Sequence, residues 1–265
     1  MKQIVKTAKF LNTIIAKTFG IEIKRTSTLP KIKDDVFQSI LEKVKDYTFL
    51  REEGLHSLFR QMKFIEESNR KGCIVECGVW KGGVASLLAG TNLQYSREMR
   101  TIHLFDAFDD ICAPSKIDGE RANQEAEKFL PYKAEGHKIV PLKGFYDEHG
   151  GHGTIKECMD LMIKDLKYGE DFIQFHKGWF QDTIPRLCDK IQDIVLLHID
   201  ADWYESTKIC LEYLYPKVIK GGFIIIDDYG TYDGCKNAVD EFIQKLEKPI
   251  FLNEVDESIV YFMKE

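Results

Sequence analysis

From residue 71 onward the chain alternates short apolar runs with amphipathic stretches, and this alternation constrains its fold more than any other feature of its 265 residues. The runs lie at 73–79, 101–107, 171–176, 193–200, 222–228 and 258–263. Two of them, IVLLHID and GFIIIDD, are apolar without interruption, which suits strands buried on both faces of a helix-covered parallel sheet. Between the runs, Leu211, Leu214, Tyr215 and Val218 recur at helical spacing, and so do Ala238, Val239, Phe242 and Leu246. Strand–helix alternation of this kind predicts an α/β fold, doubly wound and mostly parallel.

The first seventy residues follow a different pattern. Three apolar stripes at helical spacing run along them: Ile4, Ala8, Leu11, Ile15 and Phe19; then Val36, Phe37, Ile40, Leu41 and Val44; then Leu55, Leu58, Phe59, Met62 and Ile65. Residues 1–70 are therefore expected to form an N-terminal helical extension, an oligomer arm or a cap over the site, ahead of a main domain at 71–265. The stretch 110–170, rich in charge, Gly and Pro, is expected to be a lid inserted in that domain.

Charge narrows the function. A net charge of -6 excludes the basic footprint of a protein that tracks nucleic-acid phosphates. Residues 1–33 nevertheless carry +7, leaving -13 for the rest. A basic amphipathic helix from Lys2 to Lys24 fits packing between subunits of a homo-oligomer, with peripheral contact to an anionic membrane as the alternative. The seven cysteines include no CxxC pair and read as reduced thiols of a cytoplasmic protein. No uncharged apolar stretch reaches the 18 residues a membrane span needs, and no signal peptide is read at the start.

In open α/β sheets, ligands bind beyond the carboxyl ends of the strands, so the residues just after each run carry the information. The first run ends in Glu76-Cys77-Gly78-Val79-Trp80-Lys81-Gly82-Gly83, a G-x-x-x-G-G turn rather than a dinucleotide G-x-G-x-x-G. The second ends in Asp106, placed to accept ribose hydroxyls. Together these features favour a nucleoside ligand and count against an NAD-dependent oxidoreductase. The runs at 193–200 and 222–228 end in Asp200 and Asp227-Asp228, on strands expected to lie side by side. Clustered carboxylates repel unless a cation neutralises them. An all-oxygen site suits Mg²⁺, with Ca²⁺ or Mn²⁺ as alternatives. Asp202 and Ser206 are positioned to cap the helix that follows, which leaves the other three aspartates for metal. His176 and His198 read as core histidines, and His149 and His152 as residues of an exposed glycine loop.

The segments VECGVWKGG (75–83), LFDAF (104–108), KGWFQDTIP (177–185), HIDADWYEST (198–207), LYPKVIKGGFIIIDDYG (214–230) and GCKNAVDEF (234–242) resemble the macrocin O-methyltransferase family. These are enzymes that methylate sugar hydroxyls with S-adenosylmethionine (SAM). The resemblance implies a Rossmann-like class I methyltransferase domain. It assigns Glu76, Gly78, Gly82 and Gly83 to the methionine and ribose portions of SAM, with Trp80 and Thr48 beside them. Asp106 goes to the ribose diol, and Gly178, Phe180, Gln181 and Asp182 to the surroundings of the adenine. Asp200, Asp227 and Asp228 become the metal ligands. Tyr47, His149, His152, Tyr204 and Tyr229 are the candidate acceptor contacts. Related catechol-type enzymes carry a lysine where this chain has Trp203, so proton removal falls to Asp200, a metal-bound water or a lid residue, with Asp200 the expected base. A nucleotide sugar, a glycoside, a surface-glycan precursor and a non-sugar diol all remain open as acceptor.

Overall fold

The computed structural model describes residues 34–96, 98–129 and 139–265. The stripe Ile4 to Phe19 and the basic helix expected around it lie outside the described residues, so the oligomer-arm and membrane readings are not addressed by it. Residues Asp35–Glu265 form one compact unit. The boundary expected at residue 70 thus falls inside this unit.

Seven strands make one sheet in the order β3-β2-β1-β4-β5-β7-β6. Strands β1 (Cys73–Cys77), β2 (Ile102–Asp106), β3 (Ile173–Lys177), β4 (Ile194–Ile199) and β5 (Val218–Ile226) run parallel, as the apolar runs predict. Every residue of β1 and of β4 is buried, the burial expected of central strands with helices on both faces. Strand β7 (Val260–Met263) returns antiparallel to β5, and the two-residue β6 (Asn253–Glu254), too short to show as an apolar run, pairs with it.

Helices α1 (Asp35–Val44) and α2 (Glu52–Glu67) bury the two stripes read from the sequence. Both pack on α3 (Gly83–Tyr95), which follows β1 directly. The bidentate pair Arg100–Glu66, at 2.6 and 2.9 Å, joins α2 to the residues leading into β2 and is almost completely buried. Arg100 also donates to the Gly72 and Arg70 carbonyls, so its buried charge is hydrogen-bonded throughout.

The β2–β3 connection holds more regular structure than a lid loop would suggest. Residues 111–113 and 140–142 pair across an isolated antiparallel bridge. Helix α4 (Gly119–Ala126) lies between those two stretches. Helix α5 (Ile155–Met159) opens on a reciprocal cap between Thr154 and Glu157 and continues as a π-turn over Asp160–Asp165. The remaining helices are α6 (Phe180–Leu187), α7 (Tyr204–Leu214) and α8 (Asp233–Gln244). All seven cysteines are free thiols, and six of them are buried.

Pairing sets the strand ends level. Cys77 lies beside both Phe105 and Ile199, and Ile199 lies beside Ile226. The next residues, Gly78, Asp106, Asp200 and Asp227, therefore emerge side by side at one edge. Strand order reverses between β1 and β4, which is where an open α/β sheet leaves a crevice.

Candidate active site

A cleft of about 320 Å³ opens at this edge. The turn after β1 forms one wall. Gly78, Trp80 and Gly82 all adopt positive φ, at 90°, 45° and 85°. Backbone amides of the turn point at Asp106, whose carboxylate accepts from Val79 (2.7 Å), Trp80 (3.1 Å) and Phe108 (2.6 Å). Burial pushes the Asp106 carboxyl above its ordinary range, and these three donors act against that shift. At the far end of the turn, Gly83 has no room for a side chain, because the Tyr47 carbonyl and Thr48 Cβ occupy that space.

The second wall carries the carboxylates. Asp200, Asp202 and Asp228 each offer an oxygen within 4.8 Å of the others. Burial, then the charges of Asp227 and Asp228, push the Asp200 carboxyl well above the usual range; Asp202 is raised by burial and by Asp228 and Asp227. Burial and Asp228 bring Asp227 up to about 7. Among the described residues, no lysine or arginine forms an ion pair with any of the four. Such a donor set matches what a hard divalent cation takes, and a cation is what would let the carboxylates ionise together.

This grouping differs from the expected one. Asp227 lines the same cleft but stands outside the tight group, since successive residues at a strand end point to opposite sides. Asp202 takes its place because a left-handed backbone, φ 54°, turns it back toward Asp228, whose carboxylate accepts the Asp202 amide at 3.3 Å. Asp202 and Ser206 were expected to cap α7; the cap position is instead Trp203, which supplies no side-chain hydrogen bond, and the Tyr204 amide is taken by Asp118 Oδ1 at 2.6 Å.

Of the residues assigned to SAM, the cleft is lined by Gly78, Trp80, Asp106, Gly178, Phe180 and Gln181. Gly82 and Gly83, at the end of the turn, and Thr48, packed against Gly83, are outside the cleft lining, as is the exposed Asp182. Glu76 is buried under the cleft and directed at His198 (Oε1 to Nδ1, 3.3 Å), with its other oxygen unpartnered. Burial lowers the affinity of His198 for a proton, but the Glu76 carboxylate outweighs it and the His198 pKa is raised. His176 pairs with His103 at 3.0 Å.

Among the candidate acceptor contacts, His149 lines the cleft and meets Phe49 edge-on at 4.9 Å. His152 instead groups with Asp109 and Asp110. Tyr47 contributes its backbone to the Gly83 contact. Tyr204 and Tyr229 are committed elsewhere: their hydroxyls donate to Glu241 (2.8 Å) and Asp240 (2.7 Å) on α8, outside the cleft lining. Sequence reasoning missed the aromatic roof, where Phe49 stacks on Trp80 at 4.0 Å and both approach Tyr146. Only side-chain packing between distant segments marks it.

The family model for macrocin-O-methyltransferase (TylF) matches residues 32–136 and 157–264, spanning the sheet, the glycine turn and the carboxylate wall. The chain belongs to the macrocin-O-methyltransferase family. It is 28% identical over 218 residues to demethyldecarbamoylnovobiocin O-methyltransferase of Streptomyces niveus, covering 82% of this chain and 76% of the relative. It is 27% identical over 191 residues to 8-demethyl-8-(2,3-dimethoxy-alpha-L-rhamnosyl)-tetracenomycin-C 4'-O-methyltransferase of Streptomyces olivaceus, covering 72% and 65%. The solved structure of the O-methyltransferase NovP superposes with a TM-score of 0.66 at 28% identity, covering 82% of each chain. As a member of the macrocin-O-methyltransferase family with a class I methyltransferase fold, the protein is a SAM-dependent O-methyltransferase. Among the described residues, no helix is long and apolar enough to cross a membrane.

Proposed function

We propose that this methyltransferase acts on a sugar hydroxyl with the help of a divalent cation, Mg²⁺ first among candidates, held by Asp200, Asp202 and Asp228 with Asp227 beside them. One observation carries the reading: three carboxylates, Asp228 buried and Asp200 and Asp202 half-buried, converge within 4.8 Å in the same cleft as the glycine turn. The activity of the tetracenomycin relative, named as a 4'-O-methyltransferase of a rhamnosyl compound, supports a sugar as acceptor.

The turn Gly78–Gly83 and Asp106 hold the donor's nucleoside and amino-acid portions, with Phe180 and Gln181 beside the base. SAM supplies an electrophilic methyl group for in-line displacement. Asp200, Asp202 and Asp228 would hold the cation, which would supply positive charge to orient the acceptor and lower the pKa of the hydroxyl to be methylated. Asp200, fixed at the end of a fully buried strand, receives the hydroxyl proton; rigid placement holds it to the tolerance that proton transfer demands. Phe49, Trp80 and Tyr146 cover the cleft and keep water from the methyl group. Alignment of this kind contributes several kcal/mol, toward the ~7–11 kcal/mol of well-oriented intramolecular reactions.

The test incubates enzyme, SAM and Mg²⁺ with paired glycosides and nucleotide sugars and reads a mass gain of about 14 Da, one methyl replacing one hydrogen. Methylation of a sugar that stops on chelation and returns with Mg²⁺ supports the reading. Full turnover after rigorous chelation overturns the metal, and methylation of non-sugar diols alone overturns the sugar.

A further inference from the structure

Helix α7 begins two residues after Asp202, and Trp203, the residue just before it, supplies no side-chain cap. The amide of Tyr204 is satisfied by the Oδ1 of Asp118, 86 positions earlier in the β2–β3 insertion, at 2.6 Å. Asp118 is 2% exposed, and its other oxygen accepts from the Ser115 amide (2.6 Å) and hydroxyl (2.8 Å). One carboxylate thus closes its own turn and holds the start of α7. The indole N–H of Trp203 donates to the Cys112 carbonyl at 2.8 Å, and the Tyr232 hydroxyl donates to Glu125 at 2.9 Å. The insertion therefore grips both segments that carry the clustered aspartates. Gly234, at the start of α8, makes the space: a Cβ there would collide with Asp118 Oδ1 and lie 2.9 Å from the Tyr204 nitrogen.

Between these anchors sits Asp202 in its left-handed conformation, which costs an L-residue energy and persists only where its surroundings over-determine it. With Tyr204 and Trp203 both tied to the insertion, the peptide after Asp202 has one orientation, and its carboxylate is aimed at Asp200 and Asp228.

We propose that Asp118 is a positioning residue that locks Asp202 into the carboxylate cluster, so that docking of the insertion and binding of a divalent cation are coupled. The proposal rests on the metal reading above. A group that orients a ligand without touching the ion typically changes affinity by about 10–100-fold when removed.

Terbium luminescence tests it in the full-length protein, because Tb³⁺ seeks hard oxygen donors and Trp203 is a nearby sensitiser. Asp118→Ala and Gly234→Ala are expected to weaken Tb³⁺ and Mg²⁺ binding by about 10-fold or more. S-adenosylhomocysteine (SAH) affinity should stay within about twofold of wild type, since the glycine turn is on the other wall. Asp118→Asn retains an acceptor for the Tyr204 amide and should recover most of the cation affinity. Unchanged cation affinity in Asp118→Ala overturns the proposal. So does a parallel loss of cation and SAH binding in all three variants, which a merely structural role would produce. Asp228→Asn separates the two readings: if it leaves Tb³⁺ binding intact, the metal assignment has failed. Hydrogen exchange at the Tyr204 amide then decides, with protection lost in Asp118→Ala and kept in Asp118→Asn upholding the lock and equal exchange in both overturning it.

Discussion

The backbone of Asp200 fills the space that a side chain on Gly78 would need, so the glycine turn and the carboxylate wall are packed directly against each other there. The Asp200 amide also donates to the Cys77 carbonyl at 2.8 Å, which holds the two strand ends in register. The resemblance assigned Gly78 to the donor, but its first constraint is the neighbouring strand.

Gly78→Ala is accordingly expected to damage both walls. Its φ of 90° disfavours any L side chain, and the added methyl must push the Asp200 carbonyl aside. The melting temperature should fall, with a cost on the order of 1–3 kcal/mol or more from backbone strain alone. SAH and Mg²⁺ affinities should fall together. A variant that melts like wild type and binds both ligands normally contradicts the contact.

Asp200→Asn isolates the proton acceptor. At saturating Mg²⁺, kcat should drop by about 10²-fold or more while SAH affinity changes little. Asp228→Asn should instead raise the Mg²⁺ concentration needed for half-maximal rate. If His149→Ala collapses kcat and Asp200→Asn does not, the base lies in the loop.

Stability should depend on pH in the opposite sense from a salt-bridged protein. Burial and mutual repulsion raise the clustered carboxyls, Asp227 to about 7, above the roughly 3.9 of an unfolded aspartate. The folded, metal-free state then binds more protons than the unfolded one, so stability falls as pH rises from about 4 through 7. Differential scanning fluorimetry of chelated protein should show the melting temperature dropping across this window, and Mg²⁺ restoring it at neutral pH. A flat or rising profile would count against the cluster as described.

Phe49 is 53% exposed yet stacks on Trp80, so its removal should spare the fold and open the roof. Phe49→Ala is expected to weaken SAH or acceptor binding by up to about tenfold, the range of an aromatic pair, with little change in melting temperature. Titration calorimetry against SAH, then acceptor KM, reads it. Equal affinities and KM values would remove the roof from the binding account.

The parallel sheet was legible because β4 and β5 carry uninterrupted apolar runs ending in acids, and strand ends announce themselves in that way. Helix α5 could also have been found, since Thr154 and Glu157 stand at capping-box spacing, but the length and charge of 110–170 masked it. Asp202 was not legible as a cluster member, because its place depends on one left-handed dihedral that residue type and spacing do not announce. The side-chain partners of Tyr204 and Tyr229 were not legible either. Both lie close to aspartates of the cleft in sequence, yet the Tyr204 hydroxyl, from the first residue of α7, and the Tyr229 hydroxyl, from the turn after β5, both reach α8.

Tyr47 and Thr48 press on Gly83 so closely that no side chain fits between them. Segment exchange among relatives therefore has a natural seam near residue 34, where the compact unit begins, and a poor one near residue 70. A chimera joined at 70 would inherit Tyr47 and Thr48 from one parent and the glycine turn from the other, with any mismatch landing on the donor loop. Parentage of helices α1 and α2 and of the glycine turn should therefore travel together.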